Sequence, residues 1–216
     1  MKRKSLPALW MGTAFGVALV LAATVLALKG IDPKSLRIAL RLTARWSFVL
    51  FWVAYTGGAM AALFGPALAP LARRGREFGL SYAAAQLIHL GLVVWLFLIT
   101  SRPPLSGQSL VFFFTGIVWT YLLAVLSFGS LAEGLGPSGW RIVRVTGLNY
   151  ILFAFASDFV PGAIRSQAAE HGALGLIAYL PFAAMSVAAP LLVLAAAARR
   201  RLGTRYSRAE QVVVVD

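Results

Sequence analysis

Six long apolar segments constrain this chain more than any other feature of its sequence. Each holds about 20 mostly apolar residues, the length a helix needs to cross the hydrocarbon core of a bilayer. The segments run from about 6 to 28, 46 to 71, 78 to 99, 109 to 131, 140 to 160 and 174 to 198. Only 12% of the 216 residues are charged, about half the fraction found in soluble domains. The sequence therefore predicts an all-α fold, an integral membrane bundle of six transmembrane helices.

The connecting segments are short and suggest a simple division of the chain. We predict an N-terminal transmembrane helix over 1–30, a bundle of five helices over 31–200 and a cytoplasmic tail over 201–216. The basic start at Met1–Lys4 imitates a signal peptide, but the apolar run that follows is too long for one and predicts an uncleaved helix. Residues 31–45 interleave Leu and Ile with Lys and Arg, which is typical of an interfacial segment. Glycines and prolines between Gly57 and Pro70 predict that the second span is kinked or ends early.

The basic residues predict a membrane collar and an orientation. The net charge of +13 comes from Lys and Arg that cluster at the ends of the apolar segments. In that position they anchor helices to headgroups, so the lipid bilayer is the expected partner and nucleic acid is not. With six spans, 13 of the 20 Lys and Arg lie on the side of the termini. The positive-inside rule then predicts both termini in the cytoplasm, although the five basic residues between 29 and 45 oppose it. The bias toward Ala, Leu, Gly and Arg is typical of bacterial inner-membrane proteins and predicts that location.

Several kinds of site are excluded by composition. The chain has no cysteine and two histidines, which excludes disulfides, thiolate metal sites and a conventional zinc site. The glycine-rich segment 133–139 lacks the lysine and the strand–helix context of a phosphate-binding loop. No serine or carboxylate has a histidine placed for hydrolytic catalysis.

His89 is the main candidate for a functional residue. It lies roughly 15 Å beyond Gly79 along the third span, and therefore near the bilayer midplane. An ionisable side chain at that depth is costly without a partner and by default suggests a function.

Several short motifs around His89 resemble those of a known family. A basic residue and Thr precede the second span in Arg41-Leu42-Thr43-Ala44-Arg45. A basic turn at Arg73–Arg76 leads to Phe78-Gly79-Leu80, with His89 ten residues beyond Gly79, and Leu135-Gly136 and Trp140 open the fifth span. In this order, residues 41–160 resemble the ferric-reductase-like transmembrane family, and in particular the haem-binding membrane subunits of methionine-sulfoxide reductase systems.

This resemblance implies a b-type haem held between the third and fifth spans. His89 matches the ligand of the third span, so the resemblance implies that it binds the haem iron. The family carries its other histidines where this chain has Arg144 and Ser157, so both ligands of the fifth span are absent. Arg144 is then a candidate for contact with a haem propionate or a lipid phosphate, or it snorkels to the interface. The chain has no flavin or nicotinamide domain, so it would at most be the electron-transfer subunit of an oxidoreductase, with a separate redox partner.

Three interpretations of His89 remain open at this point. It ligates haem with a non-histidine or absent sixth ligand, Met60 and Met185 being the methionines within spans. It pairs with His171, or it is neutral and hydrogen-bonded to Gln86 or to a facing Ser, Thr or Asn.

Two functions follow from these interpretations. One is a b-haem carrier that moves electrons from a cytoplasmic or quinol donor to an acceptor at the outer face. The other is a haem-free scaffold or accessory subunit that kept the fold. A transporter is less favoured, because no span shows paired charges. Glu133 and Asp158 lie near span ends, where interfacial solvation explains them better than a proton path.

Overall fold

The computed structural model describes residues 5–100, 107–128, 131–168 and 172–213, and all regular structure in these ranges is helical. The helices are α1 (Ser5–Lys29), α2 (Pro33–Phe64), α3 (Ala69–Arg73), α4 (Gly75–Thr100), α5 (Gly107–Ser127), α6 (Gly136–Ala168) and α7 (Gly172–Val213). All but the five-residue α3 are long and apolar enough to cross a membrane. The predicted all-α fold with six spans is confirmed, and the chain is a multi-pass membrane protein.

Helix α2 begins earlier than the sequence predicted. Asp32 caps it by accepting hydrogen bonds from the backbone N–H groups of Lys34 and Ser35 at 2.7 and 3.1 Å, and Pro33 takes the first helical position. Hydrogen bonds from Ser35 and then Lys34 also hold the pKa of the Asp32 carboxyl below its usual value. Residues 33–45 are therefore the first part of a 32-residue helix and not a separate interfacial segment.

The first part of α2 is amphipathic at the helical period. Its apolar face is buried against α1 and α4 and includes Leu36 and Ala39. Arg37 and Arg41 are exposed on another face, and Arg45 is partly buried there. Hydropathy alone divides this helix at its charges, whereas the periodic burial continues through them.

Helix α2 ends early at Phe64, as the glycines and prolines predicted. Gly65 adopts a positive φ of 97° and leads into a 3-10 turn, Pro66–Leu68, and then α3. The chain folds back beside α2, so that a Cβ on Gly57 would lie 3.1 Å from the Leu71 carbonyl oxygen. Glycine at this position permits the close return.

Small residues bring α1 against α2 and α4. Ala14, Ala18 and Ala22 are buried at four-residue spacing on one face of α1. The indole N–H of Trp46 in α2 donates to the Ala14 carbonyl at 3.0 Å. Since lipid tails are as apolar as the helix surfaces, close packing of small residues is a main source of helix association in a bilayer.

An aromatic cluster fills the space between α2, α4, α6 and α7. Ring centroids of Phe48 lie 5.0 Å from those of Phe155 and Phe159, and Phe51 lies 5.3 Å from Tyr82. Edge-to-face and tilted arrangements of this kind stabilise beyond area burial alone. This cluster is the packed centre of the bundle.

Arginines bind the ends of two helices on the same side of the bundle. Arg199 of α7 donates to the carbonyls of Ala62 and Leu63 at 3.0 and 2.8 Å, and Arg76 donates to the Ser127 carbonyl at 3.0 Å. The last carbonyls of a helix lack intrahelical partners and carry partial negative charge, so cations are favourable there. The first contact also fixes α7 alongside α2.

Candidate functional site

His89 lies on α4, at its interface with α2. Its Nδ1 atom is 3.2 Å from the Oγ1 atom of Thr43 in α2. Ala85 and Leu92, on either side of it along α4, are buried, whereas the imidazole is partly buried. Packing of α4 against α2 therefore gives His89 a polar partner on the facing helix.

The hydrogen-bond pattern around Thr43 indicates which imidazole nitrogen carries the proton. The Thr43 hydroxyl lies 3.0 Å from the Ala39 carbonyl and 3.1 Å from the Leu40 carbonyl, and a helical threonine donates its single proton in this way. Its oxygen must then accept from Nδ1–H of His89. The Leu40 carbonyl, a second acceptor beside the imidazole, favours the same arrangement. In the neutral imidazole this arrangement leaves the lone pair on Nε2.

The two positions of the fifth span do not meet His89. Arg144 is exposed on α6. Ser157 is partly buried, and its hydroxyl donates to the Ala154 carbonyl of its own helix at 2.8 Å. Helix α6 packs mainly against α5 and α7, whereas α4 packs mainly against α1 and α2. No hydrogen bond joins His89 to Arg144 or Ser157 among the described residues.

This arrangement does not fit a haem held between α4 and α6. His89 is directed toward Thr43 on α2, and the centre of the bundle holds the rings of Phe48, Phe51 and Phe155. A porphyrin there would have to displace packed aromatic side chains, each of which is costly to move. The implied haem stays a prediction, and its family geometry is not provided by these residues.

The methionines are also far from His89. Met60 lies 17 positions beyond Thr43 on α2, or about 25 Å along the helix axis. The carbonyl of Met185 accepts a hydrogen bond from the Trp52 indole at 2.9 Å. Trp52 lies about 13 Å from Thr43 along the axis of α2, so Met185 lies at that height in the bundle. Neither is placed as a sixth ligand. His171 lies outside the described residues.

The carboxylates form no metal centre in the described ranges, where no group of three or more potential ligands occurs. The side chain of Glu133 is exposed, in the 3-10 turn before α6. Asp158 is exposed on α6 and interacts electrostatically with Arg165, Arg41 and Arg45.

Buried polar atoms also occur on α2 and α4, the two helices that carry Thr43 and His89, and sequence reasoning missed most of them. Ser47 and Ser81 are fully buried, and their hydroxyls lack a hydrogen-bond partner among the described residues, as does Oε1 of Gln86. Buried polar groups usually have partners. No local pattern indicates that these serines are buried, because their burial depends on how α2 packs against α4.

Arg45 is a second residue whose role the sequence did not reveal. Its guanidinium lies over the rings of Tyr179 and Phe182 in α7, 5.3 and 5.5 Å from their centroids. The four-residue spacing of Arg37, Arg41 and Arg45 could have indicated a shared helix face.

Comparison of this chain with protein-family models, with curated proteins and with solved structures finds no match.

Proposed function

We propose that this chain is a haem-free accessory or scaffold subunit of a bacterial inner membrane, with both termini in the cytoplasm. The observation that carries the proposal is the hydrogen bond between His89 and Thr43, which gives the intramembrane histidine a structural role. The exposure of Arg144 and the aromatic centre of the bundle support it further. Such a subunit contributes a rigid apolar bundle to a membrane assembly.

The decisive experiment is an absorption spectrum of the purified protein. The chain is expressed with excess haem precursor and purified in mild detergent. Its absorption is then scanned over the Soret and visible bands of haem. We expect no Soret band in the wild type or in the His89→Leu variant. A stoichiometric Soret band that disappears in His89→Leu, and persists in a matched His171→Leu variant, would overturn the proposal.

Orientation has its own test. A fluorescent protein that folds only in the cytoplasm is fused after residue 216, and a periplasmic phosphatase is fused there in a parallel strain. We expect fluorescence and no phosphatase activity, because the larger share of Lys and Arg lies on the side of the termini. The reverse pattern would place the termini outside.

A second candidate is the b-haem electron carrier that the resemblance implies. One observation favours it: with Nδ1 engaged by Thr43, His89 keeps its lone pair on Nε2. Histidine ligands of metals are commonly oriented in this way by a hydrogen bond on the other nitrogen. The same spectrum decides between the two candidates, and a carrier would further need a separate donor and acceptor.

A further inference from the structure

A groove lies between α2 and α7, on a different face of α2 from Thr43, the partner of His89. It has a volume of about 430 Å³ and is lined by Ile38, Arg41, Leu42, Arg45, Gly175, Ala178 and Tyr179. Arg41 and Arg45 are each two positions from Thr43, which is about 200° around the helix. The groove is therefore independent of the His89 site.

The walls of the groove suit an alkyl chain. Ile38 and Leu42 supply branched apolar surface on α2, and Gly175 and Ala178 keep the α7 wall low. Pockets that bind amphiphilic ligands combine such walls with a few placed polar groups. Here the polar groups come from Arg41, Arg45 and Tyr179.

The cations of the groove lie at the edge of the membrane on the α7 side. Arg45 is opposite Tyr179, which follows the start of the α7 apolar span at Gly175 by about 6 Å along the helix. Arg41 lies one turn nearer the end of the bundle, and Arg37 and Lys34 continue the same basic face. A series of cations thus rises from the apolar groove to the headgroup level.

The positive charge of this region exceeds its negative charge. Asp158 is the acidic side chain that interacts with Arg41 and Arg45, and Arg165 also interacts with it. Arg45 is stacked on Tyr179 and Phe182, so its guanidinium keeps donors directed away from those rings. An anionic ligand would complement the remaining charge.

We propose that this groove binds an anionic phospholipid, with its phosphate on Arg41 and Arg45 and one acyl chain between α2 and α7. Guanidinium groups bind phosphate through two parallel hydrogen bonds, and the start of the α7 apolar span near Tyr179 is where lipid phosphates are expected. The apolar walls and the cations are then used by one ligand. This role does not depend on whether the protein binds haem.

The test compares phosphatidylglycerol with phosphatidylcholine. The full-length protein is delipidated in detergent, each lipid is added at a few molecules per protein, and bound lipid is counted by native mass spectrometry. We expect phosphatidylglycerol to be preferred and Arg41→Gln to weaken that preference about fivefold, since each basic residue near the surface contributes about this factor. Arg41 is exposed, so this variant should fold normally.

Two further variants separate a groove from general surface charge. Arg141→Gln removes the same charge from an exposed position at the opposite end of the bundle, and we expect it to keep the preference. Ala178→Trp leaves the charge unchanged but fills the groove, and we expect it to release the lipid. Inorganic phosphate at the same concentration should not compete.

The proposal is overturned if Arg41→Gln and Arg141→Gln weaken the preference equally, or if Ala178→Trp retains the lipid. It is also overturned if purified protein shows the groove occupied by a second copy of the chain, seen as a dimer that Ala178→Trp dissociates. A Soret band lost in Arg41→Gln would assign the groove to haem propionates instead.

Discussion

The hydrogen bond between His89 and Thr43 predicts a measurable coupling between α4 and α2. Thr43→Val keeps the shape and β-branching of the side chain and removes the hydroxyl that lies 3.2 Å from Nδ1. His89→Leu removes the other partner. In a double-mutant cycle, the free energy of unfolding should show a favourable coupling between the two residues that neither single change reports alone.

The size of this coupling follows from the chemistry of the pair. Both partners are neutral, and hydrogen bonds between transmembrane helices average about 0.6 kcal/mol, with a maximum near 1.7 kcal/mol. The Leu40 carbonyl offers the imidazole N–H a second acceptor after Thr43 is changed. We therefore expect a coupling of about 0.6 kcal/mol, near the average and not the maximum.

The assay is reversible unfolding in mixed micelles with increasing dodecyl sulfate, followed by helix content. Thr115→Val is the matched control, because the hydroxyl of the partly buried Thr115 donates only within its own helix, to the Val111 carbonyl at 2.9 Å. The control should change stability little and show no coupling to His89→Leu. A coupling indistinguishable from zero for Thr43 would refute the hydrogen bond as a stabilising contact. A value well above 1.7 kcal/mol would contradict a simple hydrogen bond between two neutral groups.

Three more predictions follow from packing and capping. Phe48→Ala should lower the free energy of unfolding by about 3 kcal/mol in the same micelle assay. This is the low end of the range for a buried phenylalanine, because lipid is itself apolar. Phe153 is 62% exposed, so Phe153→Ala should have little effect. Gly147→Ala would place a Cβ 2.7 Å from the Trp119 ring and should lower the free energy of unfolding by about 1–3 kcal/mol. Gly91 has open space around it, so Gly91→Ala should be neutral or stabilising. Equal effects of the two changes would contradict the packing of α5 on α6. Asp32→Ala should lower the melting temperature by removing the cap of α2. Since folding lowers the pKa of Asp32, its contribution should be complete above the usual carboxyl pKa and lost as pH falls below about 4; a difference from wild type that persists in strong acid would argue against the cap.

The number and order of the spans could be predicted because hydropathy over about 20 residues is a local property. The early end of α2 was predictable for the same reason, since Gly65 and Pro66 act on their own backbone. The start of α2 was not predicted, although Asp32 followed by Pro33 is a recognisable N-terminal signature. The charges of Arg37, Arg41 and Arg45 lower the local hydropathy. The hydropathy therefore did not predict that residues 33–45 are helical, although the other face of this helix is buried.

The site itself was only half predictable. His89 stands out in any sequence of this kind, because a polar side chain in an apolar span is rare. Its partner Thr43 depends on the register of α2 against α4, which no local pattern specifies. The stacking of Arg45 on Tyr179 depends in addition on α7 lying beside α2, a contact between distant parts of the chain. The resemblance to a family drew attention to Arg144 and Ser157, whereas the hydrogen-bond partner of His89 in the structure is Thr43.

The position of α7 beside α2 has a consequence for the insertion of the nascent chain into the membrane. The contact between Arg199 and Leu63 joins residues 136 positions apart. At about 5–20 residues per second, translation needs on the order of 7–27 s to supply α7 after α2 has left the ribosome. During that interval Arg45 has no aromatic stack and the last carbonyls of α2 have no arginine. The nascent chain must therefore keep α2 near water, lipid headgroups or the insertion machinery until its final helix arrives.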